Sequence, residues 1–178
     1  MKHVALLRGI NVGTAKSVSM ADLASVFAEL GFTDVKTALR SGNVVFEADA
    51  PLSSDTASVI ERAVLAATGV RSSVLIFGRD QFASIAEANP LTSVATDGSK
   101  LFVTFLSVPS ALSAVTIEEP DAVALLPEIL RLGDGAIYQW MPNGSLQTKV
   151  PRSFWKQFET PLTARNWNTV TKLRDLLG

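Results

Sequence analysis

Along the first 80 residues, short apolar runs alternate with longer segments in which apolar residues recur every three or four positions. Apolar runs between turn residues are typical of buried β-strands, and the wider spacing is typical of an amphipathic helix. Ser19 and Asp55 can cap two helices, which Gly31 and Gly69 can end. The predicted strands cover 3–10, 35–39, 43–47 and 73–77, and the predicted helices cover 20–30 and 56–68.

The order strand, helix, strand, strand, helix, strand is that of a split βαβ, or ferredoxin-like, arrangement. It predicts an α+β protein in which an antiparallel βαββαβ sheet carries both helices on one face. The first and third strands are neighbours in such a sheet. We therefore expect the end of the first strand, at Arg8, to lie near the start of the third, at Asn43. This first subdomain is assigned to residues 1–80.

Residues 81–178 show a less regular pattern, which we interpret as a second α/β subdomain. Strands are predicted at 100–108 and 136–141, and helices at 80–86, 109–114, 121–132 and 152–159. Pro127 is expected to kink or split the helix over 121–132. A last helix, capped by Asn166 or Asn168, is expected to pack on the rest of the chain.

Composition excludes several kinds of chemistry. Hydrophobic residues make up 47% of the 178 residues and charged residues 19%, which is typical of a globular protein. The chain has no cysteine and a single histidine, His3, so thiolate nucleophiles, disulfides and His-rich metal sites are excluded. We expect no metal and no cofactor. No apolar run approaches the roughly 18 residues of a spanning helix, and the first apolar stretch is too short for a signal peptide. We therefore expect no membrane partner and take the cytoplasm as the default location.

The net charge of −1 conceals an uneven distribution. Residues 149–178 hold six basic and two acidic side chains, whereas residues 51–148 hold five basic and ten acidic ones. A basic C-terminal end could steer an acidic partner such as a nucleic acid, or its charges could simply solubilise surface helices. A sequence pI of about 5.8 argues mildly against nucleic-acid binding.

Three short segments each combine arginine with asparagine. Arginine supplies a fixed positive charge with paired donors, asparagine supplies neutral amide donors, and glycine lets the backbone approach closely. Together these are the means by which proteins hold phosphate or carboxylate groups. The segments are Arg8-Gly9-Ile10-Asn11-Val12-Gly13, Arg40-Ser41-Gly42-Asn43-Val44-Val45-Phe46 and Thr163-Ala164-Arg165-Asn166-Trp167-Asn168-Thr169-Val170.

As a set, these segments resemble the signatures of the bacterial family known as domain of unknown function 1697. The resemblance implies two α/β subdomains, the first ferredoxin-like, in a single soluble chain, and it implies no settled activity. Two positions depart from the family pattern. Thr14 stands where many relatives carry a second glycine, and Arg40 stands where an amide side chain is more usual, so the role of Arg40 cannot be taken from the family.

Each candidate ligand-binding residue also has a structural interpretation. Arg8 and Asn11 can present donors around a glycine loop, or Asn11 can bond its own backbone while Arg8 pairs with an acidic neighbour. Asn43 can add an amide donor, or it can serve a purely structural hairpin. Arg165 and Asn166 open a helix, whose N-terminus favours anions, or they can act as an ordinary helix cap.

The leading hypothesis is a binding module for a small anionic ligand, either phosphorylated or carboxylated, with a nucleotide as one option. Its donors would be Arg8, Asn11, Asn43, Arg165 and Asn166. The alternatives are a metal-independent enzyme acting on a phosphoester and a nucleic-acid-binding protein that uses the basic C-terminal end. The sequence leaves open whether any reaction is catalysed and what the oligomeric state is.

Overall fold

The computed structural model describes residues 1–11, 17–107 and 116–178. The chain divides into two compact units, one formed by residues 1–83 with 172–178 and the other by residues 84–171. Each unit contains one four-stranded sheet. The domain bounds 1–80 and 81–178 stay a prediction, and the helix predicted over 109–114 lies outside the described residues.

The first unit confirms the ferredoxin-like prediction. Its strands pair antiparallel in the order β2-β3-β1-β4. The elements are β1 (Lys2–Arg8), α1 (Met20–Glu29), β2 (Thr33–Ala38), β3 (Asn43–Glu47), α2 (Thr56–Thr68) and β4 (Ser73–Gly78). A further helix, α3 (Arg79–Glu87), follows directly.

Local signals explain where the helices of this unit begin and end. The Ser19 hydroxyl accepts the backbone N–H of Asp22 at 3.0 Å, which caps α1. Gly69, with a φ of 71°, ends α2 in the left-handed conformation that glycine adopts without strain. Both helices pack on one face of the sheet. Their buried residues join those of the strands in one core, formed by Leu23, Val26, Phe27, Ile60 and Val64 from the helices and Ala5, Leu7, Val44, Phe46 and Val74 from the strands.

The second unit repeats the strand order of the first. Its sheet runs β6-β7-β5-β8, which is the same order with four added to each number. The elements from residue 101 onward are β5 (Leu101–Leu106), α4 (Ala122–Leu125), β6 (Ile129–Leu132), β7 (Ala136–Trp140), a 3-10 turn (Ser145–Gln147), α5 (Arg152–Trp155), β8 (Leu162–Asn166) and α6 (Trp167–Leu177). The last helix begins in the second unit, and its residues from 172 onward belong to the first. The short helices α4 and α5 follow β5 and β7, as α1 and α2 follow β1 and β3. The core of this sheet includes Leu106, Leu130, Ile137 and Phe154.

Two helix predictions for the second unit are wrong in part. The helix expected over 152–159 ends at Trp155. The helix expected over 121–132 ends at Leu125, and residues from Ile129 onward form β6 instead. Pro127 disfavours helical backbone at the residue before it and offers no N–H, so the chain leaves the helix there. Strand β8 was not predicted. Two of its residues, Thr163 and Arg165, are buried polar residues, and they hide the apolar alternation that marks a strand.

Candidate functional site

The two arginine–asparagine segments of the first unit meet at one end of its sheet. Leu6 of β1 lies opposite Asn43 of β3, and the backbone N–H of Leu7 donates to the carbonyl of Gly42 at 2.8 Å. This confirms that the end of β1 lies beside the start of β3. Arg8 and the turn between β2 and β3 therefore lie at the same end of the sheet.

Asn11 ties these two segments together through its side chain. Its Nδ2 donates to the carbonyl of Arg40 at 2.8 Å and to the carbonyl of Val18 at 3.0 Å. Its Oδ1 accepts the backbone N–H of Val18 at 2.7 Å. The residue itself adopts a φ of 54°, a left-handed conformation that asparagine tolerates better than most residues. These bonds favour the structural interpretation of Asn11, in which its amide fixes the loop.

Gly42 lets the two segments approach closely. Its φ is 77°, and a Cβ placed on it would lie 2.6 Å from Ile10 Cδ1 and 2.9 Å from Leu7 Cβ. Any larger residue would therefore collide with the backbone-proximal atoms of β1 as well as adopt an unfavourable φ. The glycine in this segment is needed for packing between the two loops.

Asn43 closes the turn between β2 and β3 from inside. Its side chain is completely buried, and its Nδ2 donates to the carbonyl of Ala38 at 2.8 Å and to the hydroxyl of Ser41 at 3.0 Å. A buried amide bonded in this way stabilises the turn because it supplies hydrogen bonds to the polar groups of the turn. Asn43 thus holds the turn that presents Arg40.

Each of these two segments also carries an arginine. Arg8 and Arg40 are both exposed. In the described part of the chain, neither guanidinium forms an ion pair or a hydrogen bond. Sequence reasoning chose Arg8 but not Arg40 for the site. The spacing Arg-x-x-Asn, shared by both segments, was the signal that could have indicated both.

In the second unit, Arg165 lies on β8 with 7% of its surface exposed. Its Nη1 donates to the Thr163 hydroxyl at 2.8 Å and to the carbonyl of Ala164 at 2.9 Å. Burial lowers the pKa of Arg165 to about 10, because removal from water disfavours the charged form. The group still carries its charge at neutral pH.

Asn166 caps helix α6. Its Oδ1 accepts the backbone N–H of Thr169 at 3.0 Å and the Thr169 hydroxyl at 2.8 Å. The backbone N–H of Trp167 donates to the carbonyl of Gly98 at 3.0 Å. Two donors at this helix N-terminus are therefore already bonded within the second unit, which favours the structural interpretation of Asn166.

The five predicted site residues therefore fall into two groups. Arg8, Asn11 and Asn43 come together at one end of the first sheet, and Arg165 and Asn166 lie at the end of β8 in the second unit. Within the described ranges, no three His, Cys, Asp or Glu side chains come together as a metal site would require. Nor does any helix in those ranges have the length and apolar character needed to cross a membrane.

The fold and this pair of segments define the class of the protein. It is an α+β protein with a ferredoxin-like sheet, one end of which carries two interlocked arginine–asparagine loops. The family model described as "Protein of unknown function (DUF1697)" matches residues 1–138, and the chain belongs to this family. The first two signature segments lie inside the matched range, and the third lies beyond it.

A solved structure shares this fold. The conserved bacterial protein SP0830 from Streptococcus pneumoniae is 21% identical to this chain and superposes with a TM-score of 0.69. The match covers 99% of this chain and 98% of that one. At this level of identity the similarity concerns the fold alone. No curated protein matches the chain.

Proposed function

We propose that this protein binds a small anionic ligand, phosphorylated or carboxylated, at the end of the first sheet. The observation that carries the proposal is the pair of exposed guanidinium groups, Arg8 and Arg40, on loops that are bonded to each other. An arginine presents up to five donors in a fixed fork that matches carboxylate and phosphate oxygens. Such groups without a carboxylate partner are available to an external anion.

The asparagines contribute by holding the loops in place. The bonds of Asn11 to Val18 and Arg40, and those of Asn43 to Ala38, fix the backbone from which the arginines project. A site that is ordered before binding loses less conformational entropy when the ligand arrives. In this proposal Asn11 and Asn43 are positioning residues, and Arg8 and Arg40 contact the ligand.

For Arg165 and Asn166 we propose a structural role and no contact with the ligand. Their side chains bond to neighbouring groups of the second unit, so we expect them to stabilise the junction between β8 and α6. Arg165→Met should therefore lower the free energy of unfolding. An unchanged free energy of unfolding in this variant would contradict the structural role.

The test is an amide NMR titration of the labelled protein with inorganic phosphate and, separately, with acetate, at low ionic strength. We expect phosphate to shift the amide signals of residues 8–11 and 40–43. An exposed charge pair contributes about 0.4–1 kcal/mol, so Arg8→Met or Arg40→Met should each weaken binding about two- to fivefold.

Arg79→Met is the matched control. It removes the same charge at the far end of β4, where Arg79 pairs with Asp80 at 3.1 Å. Phosphate binding should be unchanged in this variant. If neither anion shifts the amide signals of the two loops, or if the control loses as much affinity as Arg8→Met, the proposal is wrong.

A further inference from the structure

A third arginine reaches the same end of the first sheet from a segment that the sequence analysis did not select. Arg8 lies opposite Ser73, the first residue of β4, and the hydroxyl of Ser72 donates to the carbonyl of Arg8 at 3.0 Å. Arg71 directly precedes these two residues and is exposed. In the described ranges its guanidinium also forms no ion pair or hydrogen bond.

The three arginines follow the order of the strands across the sheet. Arg40 lies in the turn between β2 and β3, Arg8 ends β1, and Arg71 precedes β4. Neighbouring strands are about 4.8 Å apart, so the distance across the sheet from β3 to β4 is about 10 Å. The three arginine residues therefore stand in a row across this end of the sheet rather than at a single point.

In the described ranges, the two acidic residues near this row form no ion pair with its arginines. Glu61 lies close to the start of β4, but its Oε1 accepts the backbone N–H of Val74 at 2.8 Å. Asp22 lies in the first turn of α1 and is exposed. Neither carboxylate pairs with an arginine of the row.

We infer that the ligand of this site carries two or more linked phosphate groups, and that Arg71 contacts the one farthest from Arg40. The inference rests on the proposed function and specifies the class of its ligand. A phosphate monoester carries about two negative charges and would leave part of a row of three cations unmatched. Gathering three long arginine side chains around one small anion also costs rotamer freedom, up to about 2 kcal/mol for each side chain. A chain of linked phosphates matches both the charge and the length of the row.

The experiment compares the binding of phosphate, pyrophosphate and tripolyphosphate by calorimetry at low ionic strength, where exposed charges are screened little. We expect affinity to rise with each added phosphate group. Arg71→Met should weaken tripolyphosphate binding about two- to fivefold, as expected for one exposed charge pair, while changing phosphate binding less than twofold. Arg79→Met should change neither, and thermal unfolding should show that both variants fold.

The remaining outcomes overturn either the proposed function or the inference about the class of its ligand. If none of phosphate, pyrophosphate and tripolyphosphate binds, and acetate shifts no amide signal of the two loops, the proposed function fails. If phosphate binds as tightly as tripolyphosphate, or if Arg71→Met weakens both equally, the proposed function stands and the oligophosphate class is wrong. ATP is included to distinguish a nucleotide from an inorganic chain, since tighter binding of ATP than of tripolyphosphate indicates contacts to the nucleoside. A single-stranded oligonucleotide that binds more tightly than tripolyphosphate would overturn the inference in favour of a nucleic acid.

Discussion

Replacing Gly42 with alanine tests whether the two loops are held in contact by the absence of a side chain. Two costs are expected. A φ of 77° is unfavourable for alanine, and the added Cβ would lie 2.8 Å from Ile10 Cγ1 and 2.9 Å from Leu7 Cβ. The isoleucine can change its rotamer to some extent. Leu7 Cβ cannot move without its strand, because the Leu7 N–H is bonded to the Gly42 carbonyl at 2.8 Å.

The magnitude follows from these two costs. A left-handed alanine costs about 1–2 kcal/mol relative to glycine, and an overpacked site costs about 1–3 kcal/mol more. Gly31 separates the two contributions, because its φ is 88° and a Cβ placed there would meet no atom within 4 Å. Gly31→Ala should therefore show the conformational cost alone. We expect Gly42→Ala to destabilise the protein by about 1–3 kcal/mol more than Gly31→Ala does.

The assay must report on the first unit. All three tryptophans, Trp140, Trp155 and Trp167, lie in the second unit, so their fluorescence is a poor probe of β1 and β3. Urea unfolding followed by circular dichroism, with amide hydrogen exchange in β1, measures the relevant free energy. Equal destabilisation by Gly42→Ala and Gly31→Ala would refute the packing argument, since it would mean that φ alone requires glycine at both positions.

Two further predictions concern the second unit. Glu128→Gln should lower the free energy of unfolding by about 1–3 kcal/mol. Oε1 of the buried carboxylate accepts the side-chain amide N–H of Gln139, and Oε2 accepts the Lys149 N–H at 2.7 Å, so an amide nitrogen in either place would face another donor. An unchanged urea midpoint by tryptophan fluorescence would contradict this. Burial raises the pKa of Tyr138 from 10.0 to about 12, so the native state keeps this proton where the unfolded chain loses it. Its contribution to stability is complete below pH 10 and should be lost between pH 10 and 12. The lowered pKa of Arg165 acts in the opposite direction above pH 10, so the measurement is the difference in slope between the protein and Tyr138→Phe, and identical slopes would contradict the prediction.

Elements set by local signals could be predicted from the sequence. The strand at 43–47 has the bounds of β3, and the segment between Asp55 and Gly69 forms α2. In both cases neighbouring residues supply the pattern and the ending. Strands β6 and β8 could not be predicted in this way. Each is stabilised by pairing with a strand that is not apparent from its own residues, and β8 buries polar side chains.

For the candidate site, the sequence indicated residue types and the structure supplied their partners. An asparagine beside glycine can offer its amide to a ligand or to its own backbone, and the residue pattern is the same in both cases. For Asn11 the deciding contact is with the carbonyl of Arg40, 29 residues away along the chain. Arg71 was missed for the same reason, since only the register between β1 and β4 places it beside Arg8.

A comparison of the two sheets also tests whether the fold itself requires basic residues at the end of the first sheet. Because both have the same strand order, the turn between β6 and β7 corresponds to the turn that carries Arg40. That turn carries Asp134, which is exposed, and Glu159 precedes β8 where Arg71 precedes β4. The same topology thus forms with acidic residues in these two connections, so a sheet of this order does not need arginines there. Removal of Arg8, Arg40 and Arg71 should therefore cost the first unit little stability, and its main consequence should be the loss of anion binding.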